Sequence, residues 1–217
     1  AINFLENQGY QVVRLGDKTN QRLKGYTQAV IDLPFHPDYE LFLDIYFAAT
    51  CCFAMNQSSG PSSLVRGFKK PALMVNRTVD WEYHPTPECL MFKHYKNKTT
   101  GIELSYNSIL ETGLGELSMD EDFLKAGIII EENTPNELEQ GIREFVALQN
   151  GKKCLNGTIQ ELFFKIGNKH QDRISINPDQ YKNNTDIFGL GHKGAHVSEE
   201  FINLNPTFLP TSPLKAV

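Results

Sequence analysis

The chain has 217 residues, of which 40% are hydrophobic and 22% are charged, and its formal net charge at pH 7 is -5. This composition is sufficient for the core of one large globular domain, and because the charges are spread along the chain without a basic block, no nucleic-acid partner is expected. No apolar run approaches the ~20 residues of a membrane-spanning helix and the first residues lack a signal-peptide pattern, so we expect a cytoplasmic protein without an integral membrane segment.

The first third of the chain predicts helices and strands in alternation. A short helix over residues 2–9 ends at Gly9, and strands are predicted over 10–15, 28–33, 51–55 and 72–76. A helix over 38–50 has Leu41, Ile45 and Ala48 at helical spacing, and another helix follows Pro61. Because the chain opens on a helix followed by a strand, we expect the first strand of the fold to lie upstream.

The rest of the chain continues the same alternation. Strands are predicted over 90–93 and 127–131, and residues 168–197, polar and rich in glycine, are expected to form an extended loop. Helix starts are predicted at four hydroxyl residues, Ser105, Ser118, Thr134 and Thr158, the last three with a Glu three residues later. The pattern predicts an α/β, Rossmann-like domain over residues 1–209, with a mostly parallel sheet and helices on both faces. The proline-rich end of the chain, from residue 206, is predicted to be loose, and residues 210–217 form a tail outside the domain.

Three loops leave predicted strands on the side where such sheets bind ligands, at residues 16–18, 57–62 and 131–133. In the middle loop, Ser58, Ser59 and Gly60 lead into a helix whose first amides have no partner within the helix. Gly60 permits close approach to the backbone, and the serine hydroxyls are further donors, so phosphate is the expected ligand. The alternative is that the segment is only a turn and a helix cap.

Charged side chains are expected near the same edge of the sheet. Arg14, Lys18 and Arg66 are the candidate cations, although Arg14 is equally compatible with an ordinary surface position. A helix N-terminus contributes only about 0.3–1 kcal/mol to binding a surface anion, whereas micromolar affinity requires roughly 8 kcal/mol. Further groups must therefore contribute to any phosphate site at this edge.

Residues 52–76 run from a strand through Ser58-Ser59-Gly60-Pro61 and a helix to Lys70-Pro71 and the next strand. This segment resembles the donor-site segment of heptosyltransferase-like glycosyltransferases, whose pattern has Asp where this chain has Ser58 and His where it has Ser63. Over residues 2–209, further motifs at 12–16, 44–48, 92–93, 132–138 and 201–209 resemble a family of bacterial proteins assigned by sequence as glycosyltransferases of the GT-B type.

The resemblance implies the C-terminal, nucleotide-sugar-binding half of a two-domain glycosyltransferase, with the acceptor-binding domain upstream. The implied reaction transfers a sugar from a nucleoside-diphosphate sugar to a hydroxyl acceptor without a metal or other cofactor. Implied donor-binding residues are Arg14, Gly16 and Lys18 on phosphate, Gln57, Ser58, Ser59, Gly60 and Ser62 on the diphosphate, Asn76 and Lys93 at the rim, and Glu132 and Asn133 on a ribose or sugar hydroxyl.

Two alternatives stay open at this point. Glu132 and Asn133 precede the Thr134 helix cap, so they are also explained by helix N-terminal chemistry. The whole chain is also explained as a non-catalytic nucleotide or anion-binding module, since the Asp and His of the donor-loop pattern are replaced. No residue is assigned a catalytic role, because the family's other candidate residues lie in an upstream loop.

No metal site is expected. His192 and His196 have the i, i+4 spacing of zinc ligands on a helix, but they lack the Glu of the His-Glu-x-x-His motif and lie in glycine-rich sequence that is a poor helix former.

Overall fold

The computed structural model describes residues 1–79, 88–117, 119–169 and 195–210. Strands β1 (Val12–Arg14) and β2 (Val30–Asp32) form a parallel pair, and β6 (His94–Asn97) and β7 (Ile128–Glu131) form an antiparallel pair. A second parallel sheet has the order β3-β4-β5-β8, formed by β3 (Ala54–Asn56), β4 (Ala72–Arg77), β5 (Glu88–Phe92) and β8 (Ala195–Val197).

The described residues also form eight α-helices: α1 (Ile2–Asn7), α2 (Leu41–Thr50), α3 (Gly60–Gly67), α4 (Tyr106–Glu111), α5 (Asp120–Lys125), α6 (Pro135–Gln149), α7 (Gly157–Lys169) and α8 (Glu199–Leu204). Two one-turn 3-10 helices lie at Leu33–Phe35 and Leu114–Glu116. None of the helices in these ranges has both the length and the apolar character required to cross a membrane. The expected α/β class with a mostly parallel sheet is confirmed.

Helices cover both faces of the four-stranded sheet. On one face α6 approaches so closely that a Cβ atom added at Gly141 would overlap Met91 Sδ and lie 3.8 Å from Leu73 Cδ2. On the other face the Phe92 ring centroid lies 6.0 Å from that of Tyr106 in α4 and 6.0 Å from that of Phe163 in α7. Every residue of β4 and β5 is buried, as expected for central strands of a parallel sheet covered on both sides.

The start of α8 is capped by a buried carboxylate from α6. The side chain of Glu144 has no exposed surface and accepts hydrogen bonds from Ser198 Oγ at 2.6 Å, from the Glu199 amide at 3.0 Å and from the Glu200 amide at 3.1 Å. Lys153 Nζ lies 3.2 Å from the same carboxylate. The charge of Glu144 is therefore balanced by one cation and by the free amides of a helix N-terminus.

Two predictions for the end of the chain are wrong. Residues 195–197 were expected in a loop, but they form β8, where Ala195 pairs with Glu88 and Val197 pairs with Leu90. The proline-rich end is also not loose as far as residue 209, because Phe208 is 1% exposed and stacks on Phe92 at a centroid distance of 5.3 Å. Both contacts join segments far apart in sequence, which local composition does not report.

Two predictions about strands also need correction. The strand predicted over 127–131 is β7, but it pairs antiparallel with β6 instead of extending the parallel sheet. The strand predicted over 51–55 begins three residues later, at Ala54, since the cap of α2 occupies Cys51.

The helix predictions are correct in place but not in detail. Of the apolar residues with helical spacing on α2, Leu41 and Ile45 are 78% and 44% exposed, and only Ala48 is buried. Thr158 lies inside α7, and Asn156 Oδ1 accepts its amide at 3.1 Å, so Asn156 provides the cap. Ser118 lies outside the described residues.

Candidate functional site

The carboxyl ends of three neighbouring parallel strands define the candidate site. β3 ends at Asn56, β4 at Arg77, and β5 at Phe92, directly before Lys93. Because the strands are parallel and adjacent, these ends lie along one edge of the sheet, where ligands of α/β proteins bind.

The predicted phosphate loop lies at this edge, between β3 and α3. Gln57, Ser58, Ser59 and Gly60 are all exposed. Ser59 is the N-cap of α3, and Ser62 Oγ accepts its amide at 3.4 Å and donates to its carbonyl at 2.5 Å. Ser62 is thereby buried and closes the first turn of the helix, so it is not presented to a ligand as the other serines are.

Two donors beside this loop have no partner in the described part of the chain. The Gly60 amide takes part in none of its backbone hydrogen bonds, and Asn56 Nδ2 is buried without a hydrogen-bond partner. A Cβ atom added at Gly60 would meet no other atom of the described residues within 4 Å beyond its own helix and neighbours, so the backbone at Gly60 is open. The loop can therefore accept an anion against its backbone, although Pro61 removes one of the helix amides.

Arg77 is the residue of this edge that the sequence analysis missed. It is the last residue of β4, is 1% exposed, and donates from Nη1 to Ser58 Oγ at 2.8 Å. A guanidinium is charged at all physiological pH values, so this contact places a permanent positive charge beside the loop. The available signal was an arginine at the carboxyl end of an apolar strand.

Asn76 and Asn133 join the end of β4 to the chain after β7. The Asn76 amide donates to Asn133 Oδ1 at 2.8 Å, and the Asn133 amide donates to Asn76 Oδ1 at 2.6 Å. Asn133 Nδ2 also donates to the Phe92 carbonyl at 2.7 Å. Both asparagines are buried, at 7% and 6% exposed, so in this structure their side chains stabilise the edge and are not free to contact a ligand.

Lys93 and Glu132 remain available at the same edge. The Lys93 amide donates to the Arg77 carbonyl at 2.7 Å, which fixes the backbone of Lys93 next to Arg77. The Lys93 side chain is half-buried and that of Glu132 is exposed, and neither side chain forms an ion pair within the described residues. These two side chains can reach a ligand without breaking a contact of the fold.

The predicted residues near β1 follow or end a strand of the two-stranded sheet, not a strand of the sheet that forms this edge. Arg14 Nε donates to Asp32 Oδ1 at 2.7 Å and Nη1 donates to the Gln21 carbonyl at 2.8 Å, so the Arg14 guanidinium joins β1 to β2 and to the loop between these two strands. Gly16 has a φ of +136°, which favours glycine, and Lys18 is exposed. No hydrogen bond or ion pair of the described residues connects Arg14, Gly16 or Lys18 with the loop at residues 57–60.

Arg66 does not lie at the carboxyl edge. It forms a two-point contact with Glu88 at the start of β5, with Nε to Oε1 at 2.7 Å and Nη2 to Oε2 at 3.3 Å. Because the Glu88 side chain is fully buried, its charge requires this partner, and Arg66 stabilises the fold at the opposite end of the strand.

A histidine between two carboxylates lies next to the candidate site. His94 Nδ1 is 2.6 Å from Glu103 Oε1, and His94 Nε2 is 3.1 Å from Glu137 Oε2. The hydrogen bond to Glu103 and the attraction of Glu137 raise the pKa of His94, although burial opposes the shift. Burial acts to raise the pKa of Glu137, but hydrogen bonds from Thr134 and Asn205 and the nearby His94 lower it overall.

No group of three or more His, Cys, Asp or Glu side chains that could hold a metal ion occurs within residues 1–79, 88–117, 119–169 and 195–210. Of the two histidines with zinc-like spacing, His196 belongs to β8 and is therefore not on a helix, while His192 lies outside the described residues.

Comparisons of the chain with models of protein families, with curated proteins and with solved structures gave no match.

Proposed function

We propose that the carboxyl edge of the four-stranded sheet binds the diphosphate of a nucleoside-diphosphate sugar. The observation that supports this proposal most directly is the contact between the buried Arg77 guanidinium and Ser58 Oγ at 2.8 Å, beside an open loop that precedes a helix. A permanent cation, the Gly60 amide and the Asn56 amide group, the last two without a partner among the described residues, offer three kinds of donor beside this loop. Diphosphate oxygens accept hydrogen bonds from all three.

The chain would then be the donor-binding part of a metal-independent glycosyltransferase with a Rossmann-like domain of the GT-B type. As the bond between the sugar and the diphosphate breaks, negative charge grows on the departing diphosphate, and fixed donors at the edge stabilise that charge. Arg77 and Lys93 would supply the positive charge, and Glu132 would accept a hydrogen bond from a ribose or sugar hydroxyl. The residue that activates the acceptor hydroxyl is not assigned.

Titration calorimetry with UDP, GDP and CDP tests the binding proposal. A tryptophan at residue 60 fills the space in front of the loop, so Gly60→Trp should abolish saturable binding of the preferred nucleotide. Gly67→Trp is the matched control, because Gly67 ends the same helix and a Cβ atom there also meets nothing within 4 Å. Absence of binding by the unmodified chain, or equal loss of affinity in both variants, would contradict the proposal.

A second candidate is a nucleotide or anion-binding module without catalysis. It is favoured by the replacement of the expected Asp and His by Ser58 and Ser63, and by the structural use of Arg14, Asn76 and Asn133. Release of nucleoside diphosphate from UDP-, GDP- or CDP-linked sugars separates the two candidates. A glycosyltransferase donor site slowly hydrolyses its donor or transfers the sugar, whereas a pure binding module leaves the donor intact while still binding it.

A further inference from the structure

One face of α2 exposes a set of large apolar side chains. Apart from Asp44 and Thr50, the residues of this helix are all aliphatic or aromatic, and only Ala48 is buried. An α-helix that is apolar on all sides is normally covered on all sides. The uncovered face consists of four large side chains: Leu41 is 78% exposed, Phe42 63%, Ile45 44% and Tyr46 47%.

These four side chains form a continuous stripe. Leu41 and Ile45 are four residues apart, as are Phe42 and Tyr46, so the two pairs form neighbouring rows along one side of the helix. The ring centroids of Phe42 and Tyr46 lie 6.4 Å apart, and the helix itself is held against α3. Single apolar side chains are ordinary on a protein surface, but a contiguous apolar stripe indicates a contact with another molecule.

We propose that the apolar stripe of α2 binds the same stripe of a second copy of the chain, with the two helices antiparallel across a two-fold axis. A two-fold interface requires a surface that is complementary to itself. The middle of α2 falls between Ile45 and Tyr46, so the axis would pass there and Phe42 would lie opposite Ala49 of the partner subunit. A large ring would then face a small residue, as close packing of two helices requires.

Opposite charges at the two ends of the stripe set the antiparallel orientation. Asp38 and Glu40 precede α2 and are exposed. Lys70 lies at the other end, beside Cys51, which caps α2: burial raises the pKa of the Cys51 thiol, and the nearby charge of Lys70 opposes this shift. Neither Glu40 nor Lys70 forms an ion pair within the described residues. An antiparallel pair brings the acidic end of each copy to the basic end of the other, whereas a parallel pair brings like charges together.

The same charges favour a second copy over a membrane surface as the partner. Residues 25–65 contain no lysine or arginine, and α2 lies within this range. Helices that lie on a membrane combine an apolar face with lysine and arginine, which attract anionic headgroups. The acidic residues before α2 would instead be repelled by such headgroups, and the stripe is therefore assigned to a protein surface.

The size of the stripe is consistent with a weak dimer. At roughly 200 Å² for a large side chain, the exposed fractions of the four side chains amount to about 450 Å² per copy, or about 900 Å² in the pair. Specific interfaces bury at least about 1,000 Å², which the charged ends of the stripe would complete. Interfaces of this size belong to weak complexes, so we expect monomer and dimer to exchange at protein concentrations on the order of 10–100 µM.

Sedimentation velocity at a series of protein concentrations tests the pairing. In Ile45→Glu, two carboxylates would face each other beside the axis, so the dissociation constant of the dimer should rise at least about tenfold. Leu124→Glu is the matched control, because Leu124 is 50% exposed on α5 and the change places the same charge on a different helix. Both positions are on the surface, and circular dichroism should show that both variants fold like the unmodified chain.

Charge reversal tests the antiparallel orientation in the same assay. Glu40→Lys and Lys70→Glu should each raise the dissociation constant at least about threefold, because each places like charges at both ends of the pair. The variant with both changes restores opposite charges between the copies and should recover the dissociation constant of the unmodified chain.

Three outcomes overturn the proposal. A chain that stays monomeric up to about 200 µM would assign the stripe to a different partner, such as another protein or another domain. A dimer that Ile45→Glu leaves unchanged, or that Leu124→Glu weakens equally, would place the contact elsewhere. A double charge variant that binds no more tightly than the single variants would exclude the antiparallel arrangement. None of these measurements depends on nucleotide binding.

Discussion

Removal of the Asn133 side chain should destabilise the fold through two identified groups. The variant Asn133→Ala leaves the Asn76 amide without its acceptor at 2.8 Å and removes the donor that lies 2.7 Å from the Phe92 carbonyl. Both groups are buried, and an unsatisfied buried polar group costs about 1–3 kcal/mol. We therefore expect the free energy of unfolding to fall by about 2–6 kcal/mol, since the two costs add.

Urea unfolding followed by circular dichroism measures this change. The midpoint should fall while the dependence of the free energy on urea stays constant, because the surface exposed on unfolding is nearly the same. Asn136→Ala is the matched control, since Asn136 is exposed near the start of α6, the helix that follows Asn133, and removal of its side chain should change stability by less than about 0.5 kcal/mol. A loss of stability below about 1 kcal/mol in Asn133→Ala, or an equal loss in the control, would refute the conclusion that these hydrogen bonds stabilise the fold.

Three further predictions concern charged groups that stabilise the fold. The pKa of His94 is raised above its ordinary value of 6.5, so its contacts with the two carboxylates stabilise the fold fully below pH 6.5 and lose this effect as the pH rises through the raised pKa. The difference in unfolding free energy between the unmodified chain and His94→Gln should therefore shrink as the pH rises through the raised pKa, and urea unfolding at a series of pH values measures it. Glu144→Ala should lower stability by about 3–5 kcal/mol, measured as a fall in melting temperature, because it leaves the Ser198 hydroxyl and the first amides of α8 without their acceptor and removes one of the three carboxylates around Lys153. Arg14→Ala and Asp32→Ala should each lower the free energy of unfolding to a similar extent, and the double variant should lower it scarcely more than either single variant. A double-mutant cycle measures this coupling, and fully additive effects would mean that the two side chains do not interact.

Local signals in the sequence were sufficient for much of the fold. Gly9 follows the first helix with a φ of +83°, and Ser105 and Thr134 cap α4 and α6 as predicted. These features depend on residues three or four apart, so the sequence displays them directly. The loop at 57–60 was placed at the carboxyl end of a strand for the same reason, because the strand, the turn and the helix cap are contiguous.

The tertiary structure decided which predicted site residues are free. Asn76 and Asn133 are 57 residues apart and bind each other, and Arg14 is bound to Asp32, so local sequence could not show that their side chains are already used. Arg77 could be identified as part of the site only once β4 and the loop after β3 lay side by side.

The same distinction applies to the sheet itself. Hydrophobic periodicity indicated strands and helices, but strand order depends on pairing between distant segments, such as β5 with β8. The sequence by itself therefore determined the α/β class and the place of the loop at residues 57–60 between a strand and a helix. Only packing decided that Lys93 and Glu132 remain available at the edge and that β6 and β7 pair antiparallel.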